Sequence, residues 1–590
     1  MNILTTEQLE QIDDPDKLRV DLLETREAID RFLKGKIPEE EFKRFRLHRG
    51  IYSQRQDQRG YHMIRVKIPY GLLTSRQLRR LGEIARDYAD GVGHITTRQD
   101  IQFHWVRMEK VIDVLEQLAE VGLTTREACG NTVRNIVGSP LAGVASDEVF
   151  DISPYAHALA KHLLRNPLNQ KLPRKFKISF SGSASESDGI IPWIHDIGFV
   201  AARQGVNGRD ELGFRVYVGG GLGAQPRVAD LLEEFTPAEG FLPTAEAILT
   251  VFNRHGNREN RYKARMKFVI WKLGLNEFRR LVFEERREIL TSARPFELPA
   301  PIIESGYLQT ESDPLQQPVV TESQFEVWKS TNVIPQKQAG YTVVYVNPTI
   351  GDLTTDQFFA LADISERFTN RRVRTTTTQD VVLRWIRTTD LAALYAELRK
   401  YHLHQPGANS LANVTSCPGA DTCNLGITHS RALGKTLTTL FQEHAGWSDA
   451  PADIRIKISG CPNSCGQHHV AGIGFYGGSK TIDGKEIPSY VLLLGGGMYS
   501  GKQAFGNVVG KIPARRASET VSIILQSFLA DRAQNESFLS YVNRVGIRHF
   551  RNLLKPILEL KNEQLTDELF ADLGQTTGFK TETGRGECAV

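Results

Sequence analysis

"ITTRQDIQFHWV", residues 95–106, returns as "TTTTQDVVLRWI", residues 375–386, at an offset of 280. The offset persists on both sides. "LLTSRQL" (72–78) matches "DLTTDQF" (352–358), Val111, Val114 and Leu118 match Leu391, Leu394 and Leu398, and "KFKIS" (175–179) matches "RIKIS" (455–459). Further on, "YVGGGLG" (217–223) meets "LLGGGMY" (493–499) at an offset of 276. A register kept over about 150 residues marks an internal duplication.

Each copy predicts the same opening unit. "YHMIRVKIP" (61–69) reads as a strand, Leu78, Leu81, Ile84, Ala85 and Tyr88 recur at helical spacing, "DIQFHWV" (100–106) alternates as a second strand, and Val111, Ile112, Leu115 and Leu118 mark a second helix. Strand, helix, strand, helix in about 60 residues is a small α+β sandwich. Each copy then runs into a longer α/β unit rich in strands and glycine turns. The two "GGG" turns lack the helix-opening context of a dinucleotide loop and read as close backbone approaches. Between the copies, residues 291–335 hold Pro295, Pro299, Pro301, Pro314, Pro318 and Pro335 among polar residues, the composition of a linker. "NRENRYKARMKFVIWKLG" (257–274) runs without a breaker and predicts a helix ahead of it.

The bulk numbers narrow the class. At 590 residues the chain exceeds one hydrophobic core. With 73 basic against 69 acidic residues it has no concentrated basic footprint for nucleic acid. No stretch approaches the length of a membrane span and no secretory leader is visible, so the expectation is a cytoplasmic protein. Six cysteines are too few for a disulfide scaffold. Four of them, Cys417, Cys423, Cys461 and Cys465, crowd together as Cys-x5-Cys, 37 residues, Cys-x3-Cys. Spacing alone leaves an iron–sulfur cluster, a zinc site with help from His468 or His469, and inert buried thiols all open. The first gap is wide for zinc.

Cations mark the first copy. Arg65 and Lys67 alternate within a strand, as do Lys175 and Lys177, so each pair shares one face. Each alone reads as a solvated charge; a face of cations is costly unless an anion meets it. The second copy has Tyr345, Thr378 and Arg384 where the first has Arg65, Arg98 and His104, and the first has no cysteines where the second has four. The copies have specialised towards one asymmetric site.

"TSCPGADTCNLGITHS" (415–430) followed by "KISGCPNSCG" (457–466) resembles the cluster signature of the sulfite and nitrite reductase family. "IRVKIPYG", "TTRQDIQFHW", "ACGNTVRN" and "LPRKFKIS" resemble family segments in the same order, over roughly residues 45–560, and the internal duplication is a family feature. The resemblance implies siroheme coupled to a [4Fe-4S] cluster held by Cys417, Cys423, Cys461 and Cys465, with Cys465 also bridging to the siroheme iron. It implies Arg65, Arg134, Lys175 and Lys177 around the oxyanion, and Arg98, Gln102, His104, Arg174 and Asn463 against siroheme. Arg258, Arg261 and Arg265, at helical spacing, stand equally as propionate contacts or a solvated face. In some ferredoxin-dependent members a cysteine placed like Cys129 is linked to a tyrosine placed like Tyr52.

The implied fold class is α+β, two pseudo-symmetric halves, each a ferredoxin-like sandwich followed by a larger α/β domain. The expected division is an N-terminal extension (1–45), ferredoxin-like half-domain 1 (46–140), a siroheme- and substrate-binding domain (141–290), the linker (291–335), half-domain 2 (336–405), the cluster and siroheme domain (406–560) and a tail (561–590) ending near an exposed Cys588. The implied activity is six-electron reduction of sulfite to sulfide, with nitrite reduction to ammonia as the alternative. Lys177 selects sulfite, because nitrite-reducing relatives tend to carry asparagine there. With no flavin- or NADPH-binding segment visible, the expected donor is ferredoxin, or else a separate flavoprotein. The expectation is a monomer that binds neither nucleic acid nor membrane. A structural or sensory iron–sulfur protein is the non-enzymatic alternative, and the retained cations count against it.

Overall fold

The computed structural model describes residues 4–55, 60–183, 188–206, 209–292, 295–296, 299, 302, 322–408, 410–443, 454–499, 502–584 and 586–587. The first copy of the repeat forms β1 (Ile51–Ser53), β2 (Tyr61–Val66), β3 (Leu72–Thr74), β4 (Val92–Ile95) and β5 (Ile101–Arg107), followed by β6 (Val137–Gly138), β7 (Ile178–Ser181), β8 (Ile197–Val206), β9 (Arg209–Val218) and β10 (Asp230–Pro237). The second forms β11 (Val333–Pro335), β12 (Tyr341–Val346), β13 (Asp352–Thr354), β14 (Arg372–Thr375) and β15 (Val381–Arg387), then β16 (Thr415–Ser416), β17 (Ile456–Ser459), β18 (Ile473–Ile482), β19 (Lys485–Leu494), β20 (Gly497–Tyr499), β21 (Lys502–Ala504) and β22 (Asn507–Pro513). The α+β class, two pseudo-symmetric halves each with a ferredoxin-like sandwich and a larger α/β unit, holds.

Repeated sequence becomes repeated local physics. "LLTSRQL" and "DLTTDQF" are capping boxes: Thr74 and Gln77 close the helix Ser75–Tyr88, and Thr354 and Gln357 close Thr355–Phe368 by the same reciprocal bonds. Trp105 and Trp385 both stand at left-handed φ, 65° and 63°, in matching irregularities of the β2–β5 and β12–β15 ladders. Each donates its backbone N–H at 2.6 Å to a glutamine, Gln54 or Gln336.

The half-domains are not separable units. The first sheet runs β1-β2-β5-β4-β13 and the second β11-β12-β15-β14-β3, so each half lends one three-residue strand to the other's sheet. One core fills both, from Ile64, Phe103 and Leu118 to Leu383, Phe358 and Leu398. The α/β units have their own cores and the same sheet plan, β6-β7-β8-β9-β10 against β16-β17-β18-β19-β22, parallel for the first three strands and antiparallel after. A small apolar cluster including Trp193, Leu222 and Val470 joins them.

Three expectations need correction. β7 pairs Ile178 with Ile197 and β17 pairs Ile456 with Ile473, so "IGF" at 197–199 and 473–475 sets the alignment. Lys177 therefore corresponds to Arg455, two residues off the register of "KFKIS" with "RIKIS". By the same ladders Ser139 and Ser183 occupy the places of Cys417 and Cys461. The stretch 257–274 is not one helix: a single 3₁₀ turn at Arg261–Lys263 precedes a helix at Met266–Leu273, because Asn260 caps the turn and Arg265 is extended at ψ 152°. Part of the expected linker is structured, a helix at Glu322–Asn332 running into β11, with Trp328 fully buried against Tyr395. Most of the proline-bearing stretch lies outside the described residues, as does Cys588. No helix among the described residues is long and apolar enough to cross a membrane.

Candidate active site and cluster pocket

The cations of the first copy converge because the segments at Val133 and Phe176 run side by side and Arg65 and Arg134 share the Ala128 carbonyl. Val133 bridges Phe176 in parallel, with Arg134 N–H donating to the Phe176 carbonyl at 2.9 Å. Phe176 is fully buried, so Lys175 and Lys177 turn to the opposite face. Arg65 on β2 lies directly across from Gln102 on β5. With its amide oxygen turned to Arg65, Gln102 accepts from Nε at 3.0 Å and Nη2 at 2.6 Å. Arg65 also donates to the Ala128 carbonyl, sits 3.9 Å from Asp100 and covers the Tyr52 ring at 5.2 Å. Arg134 is held on the Ala128 and Gly130 carbonyls and reaches the Tyr52 hydroxyl at 3.4 Å.

Arg98 enters from the turn between β4 and β5. Its Nη2 donates to the Asn135 carbonyl and its buried Nε has no hydrogen-bond partner among the described residues. Burial, with Arg134 and Arg265 near, brings its pKa down to about 10, against the pull of Asp100 and Asp196. Burial and the neighbouring cations Arg98, Arg265 and Lys175 hold Lys177 well below the ordinary lysine range. Burial lowers His104 well below the ordinary histidine value, and its buried Nδ1 lacks a partner. Arg174 donates to Asn131 at 3.4 Å. Arg65 keeps a raised pKa against burial because Cys129, Asp100 and Tyr52 surround it.

One member was not legible in advance, and of three cations left open one joins the site. Asp196, fully buried, accepts from Lys177 N–H and from Arg265 Nη2, both at 2.9 Å, and its other oxygen is unpartnered. No spacing signal singles out that aspartate. Arg265 thus joins the site, whereas Arg258 is spent on the Lys171 carbonyl and Asn253, and Arg261 is exposed beside Tyr262. Lys67 is also diverted, to Glu127 at 3.8 Å.

The cysteines sit on two loops at the ends of β16 and β17. Cys417 N–H donates to the Ile458 carbonyl, and its Sγ accepts from Gly460 N–H at 3.2 Å. A Cβ on Gly466 would lie 1.9 Å from the Ile458 oxygen, and one on Gly460 2.6 Å from Gly419 Cα, so the loops pack backbone on backbone. Burial, with Cys465 and Cys423 adding repulsion, pushes the Cys417 thiol up to about 12; burial and the other three thiols raise Cys461 as well. Cys461 is thus within electrostatic reach of the other three thiols, and Cys417 of Cys465 and Cys423. Among the described residues no three His, Cys, Asp or Glu side chains stand close enough to hold a single metal ion. Four thiols on two adjoining loops suit a cluster that takes one thiolate per iron.

The two sets meet at Cys465. Thr97, beside Arg98, donates its hydroxyl to the Cys465 carbonyl at 2.8 Å, and Cys465 is among the groups acting on Lys177. Asn463 is exposed, with its backbone N–H turned to Cys461. His468 and His469 serve the junction of the α/β units: His468 is buried between His469 and Tyr476, and His469 Nε2 lies 3.0 Å from the Gly223 carbonyl. The "GGG" turns are close approaches: a Cβ on Gly220 would lie 2.3 Å from the Trp193 oxygen, and one on Gly496 2.3 Å from that of His469. Buried donors unpartnered among the described residues, excess positive charge and four thiols on neighbouring loops fit a polycarboxylate macrocycle beside an iron–sulfur cluster.

The family model described as "Nitrite and sulphite reductase 4Fe-4S domain" matches residues 129–289 and 407–562, and "Nitrite/Sulfite reductase ferredoxin-like half domain" matches 53–121 and 334–401. A Synechococcus elongatus protein named ferredoxin–nitrite reductase is 34% identical over 448 residues, 74% of this chain and 80% of that one. A Mycolicibacterium paratuberculosis protein named sulfite reductase [ferredoxin] 1 is 30% identical over 497 residues, 83% of each. The structure of the Mycobacterium tuberculosis NirA protein superposes with a TM-score of 0.74 at 26% identity, covering 92% of this chain and 98% of that one. The chain belongs to the nitrite and sulfite reductase family of oxidoreductases, whose cofactors are siroheme and a [4Fe-4S] cluster.

Proposed function

We propose that this chain reduces sulfite to sulfide: Cys417, Cys423, Cys461 and Cys465 would hold the cluster, with Cys465 on the side that meets the anion site, and Arg98, Gln102, His104, Arg174 and Asn463 would lie against siroheme. Bound there, the siroheme and cluster would supply single electrons to the oxyanion. Arg65, Arg134, Lys175 and Lys177 neutralise the oxyanion and donate to its oxygens, which leave as three waters over six electrons. Arg65 is held for this by Gln102 and Tyr52.

Lys177 carries the choice of sulfite. Its ammonium is disfavoured by burial and by three neighbouring cations, so an anion of higher charge restores it most. Sulfite reaches two negative charges near neutral pH; nitrite carries one. The measurement is kcat/KM for sulfite and nitrite with a reduced viologen. Wild type should prefer sulfite, and Lys177→Asn should move the ratio at least roughly tenfold towards nitrite. A wild-type preference for nitrite would overturn the substrate assignment. That second reading has its own support in the 34% identity to a protein named ferredoxin–nitrite reductase.

Ferredoxin is the donor we infer, supported by the names of the relatives above. Reduced ferredoxin should sustain turnover where NADPH with a flavoprotein reductase does not.

A further inference from the structure

Residues 581–584 and 586–587 return from the far end of the chain to the junction between the anion site and the cluster loop. Gly584 N–H donates to the Asn424 carbonyl at 2.8 Å, immediately after Cys423. At Gly586 a Cβ would lie 2.8 Å from Leu425 Cδ1. Arg55 ties the same places together, donating to the Gly426 carbonyl at 3.2 Å and the Glu582 carbonyl at 3.4 Å.

The stretch ends on a buried ion pair. Glu587 accepts from Arg46 Nη1 at 2.5 Å and from the Ser53 hydroxyl at 2.6 Å, with Ser53 N–H at 3.3 Å. Arg46 is fully buried and donates to the Ile51 carbonyl at 3.0 Å and the Ser53 hydroxyl at 3.1 Å. Its other carboxylate, Glu39, is mostly exposed at 3.6 Å. Arg46 and Glu587 therefore grip β1 on both sides of Tyr52. That tyrosine takes the Arg134 bond on its hydroxyl and lies under Arg65. β1 is a three-residue edge strand, paired among the described residues only with β2. Short edge pairing alone leaves such a strand free to shift.

We propose that Glu587 is a positioning residue for the oxyanion site: through Arg46 and Ser53 it fixes Tyr52, and through Tyr52 it sets Arg134 and Arg65, while the stretch leading to it braces the Cys423 loop. The inference rests on Arg65 and Arg134 being the oxyanion contacts.

The test uses full-length, cofactor-loaded enzyme with reduced viologen as donor. Glu587→Ala should raise KM for sulfite and for nitrite about tenfold with kcat changed less than about twofold, the signature of a displaced binding group. Glu587→Asp should recover most of the loss. Hydrogen exchange should quicken at residues 51–55 and 424–426. A purely structural role would lower yield and Tm but leave KM of the surviving loaded enzyme unchanged, and that result, with unaltered exchange at both segments, overturns the proposal. If Glu587→Ala does not fold, Glu587→Gln, which keeps an acceptor for Ser53 and removes the charge, reads the same KM. Arg134→Ala separates the two levels: if it too leaves KM unchanged, the oxyanion assignment fails; if it alone raises KM, only the role of Glu587 does.

Discussion

At Lys177 the same physics acts on binding and on stability with opposite signs. The folded pKa lies below the ordinary 10.5, chiefly from burial. Between the lowered value and 10.5 the unfolded chain binds the proton and the folded chain does not, so stability rises with pH across that window. The ammonium that meets the oxyanion is lost as pH rises through the lower edge of that window, so KM for sulfite should rise there and stay high while Tm gains above it. Lys177→Arg keeps its charge and should flatten both limbs. A pH–KM profile that retains its alkaline rise in Lys177→Arg would assign the titration elsewhere. The lysine was legible in sequence because it alternates with Lys175 around a buried phenylalanine. Asp196 was not, since a carboxylate that accepts from a backbone amide and a distant guanidinium leaves no periodic trace, and Arg265 was marked only as one of three cations at helical spacing, two of which turn elsewhere. Arg265 also stood behind a helix that does not form.

Elements were most legible where the repeat encodes a local bond. Thr-x-x-Gln capping boxes and alternating strands are short-range chemistry, and they appear at both copies. β3 and β13 are different: three residues each, pairing with the opposite half, they are set by contacts 258 or more positions away, such as His94 with Asp352. Glycine in the cysteine loops is where element geometry is least forgiving. Gly466→Ala would drive a Cβ into the Ile458 carbonyl, backbone that cannot rotate aside, and should cost about 1–3 kcal/mol or more together with most of the bound iron. Gly478→Ala on β18, where the nearest atom to the new Cβ is Lys511 Cε at 3.9 Å, should leave iron content and Tm near wild type. Equal iron loss in the two variants would remove the close packing of the loop as the cause.

Across the whole molecule, one glutamine per half joins three segments. Gln99, fully buried at φ 60°, donates to the Gly138 and Thr375 carbonyls at 3.0 and 2.7 Å and accepts from Gly138 N–H at 2.9 Å. Gln379, at φ 71°, donates to the Ile95 and Ser416 carbonyls at 2.8 and 2.9 Å and accepts from Ser416 N–H at 2.8 Å. Each thus ties its own turn to the other half-domain and to the first strand of its own α/β unit. Both glutamines stand in the quoted repeat, but what they bond is long-range and only the fold discloses it. Removing either side chain strands buried backbone groups, so Gln99→Ala and Gln379→Ala should each destabilise by about 2–4 kcal/mol. Their functional effects should diverge, because the duplicated fastening holds unlike cargo. Gln379 steadies Ser416, next to Cys417, so its loss should lower iron content. Gln99 follows Arg98 and steadies Gly138, next to Ser139, so its loss should spare the iron and raise KM for the oxyanion. Iron analysis and steady-state kinetics on the two purified variants decide it: matching losses of iron in both would make the pair a symmetric staple with no share in the division of labour between the halves.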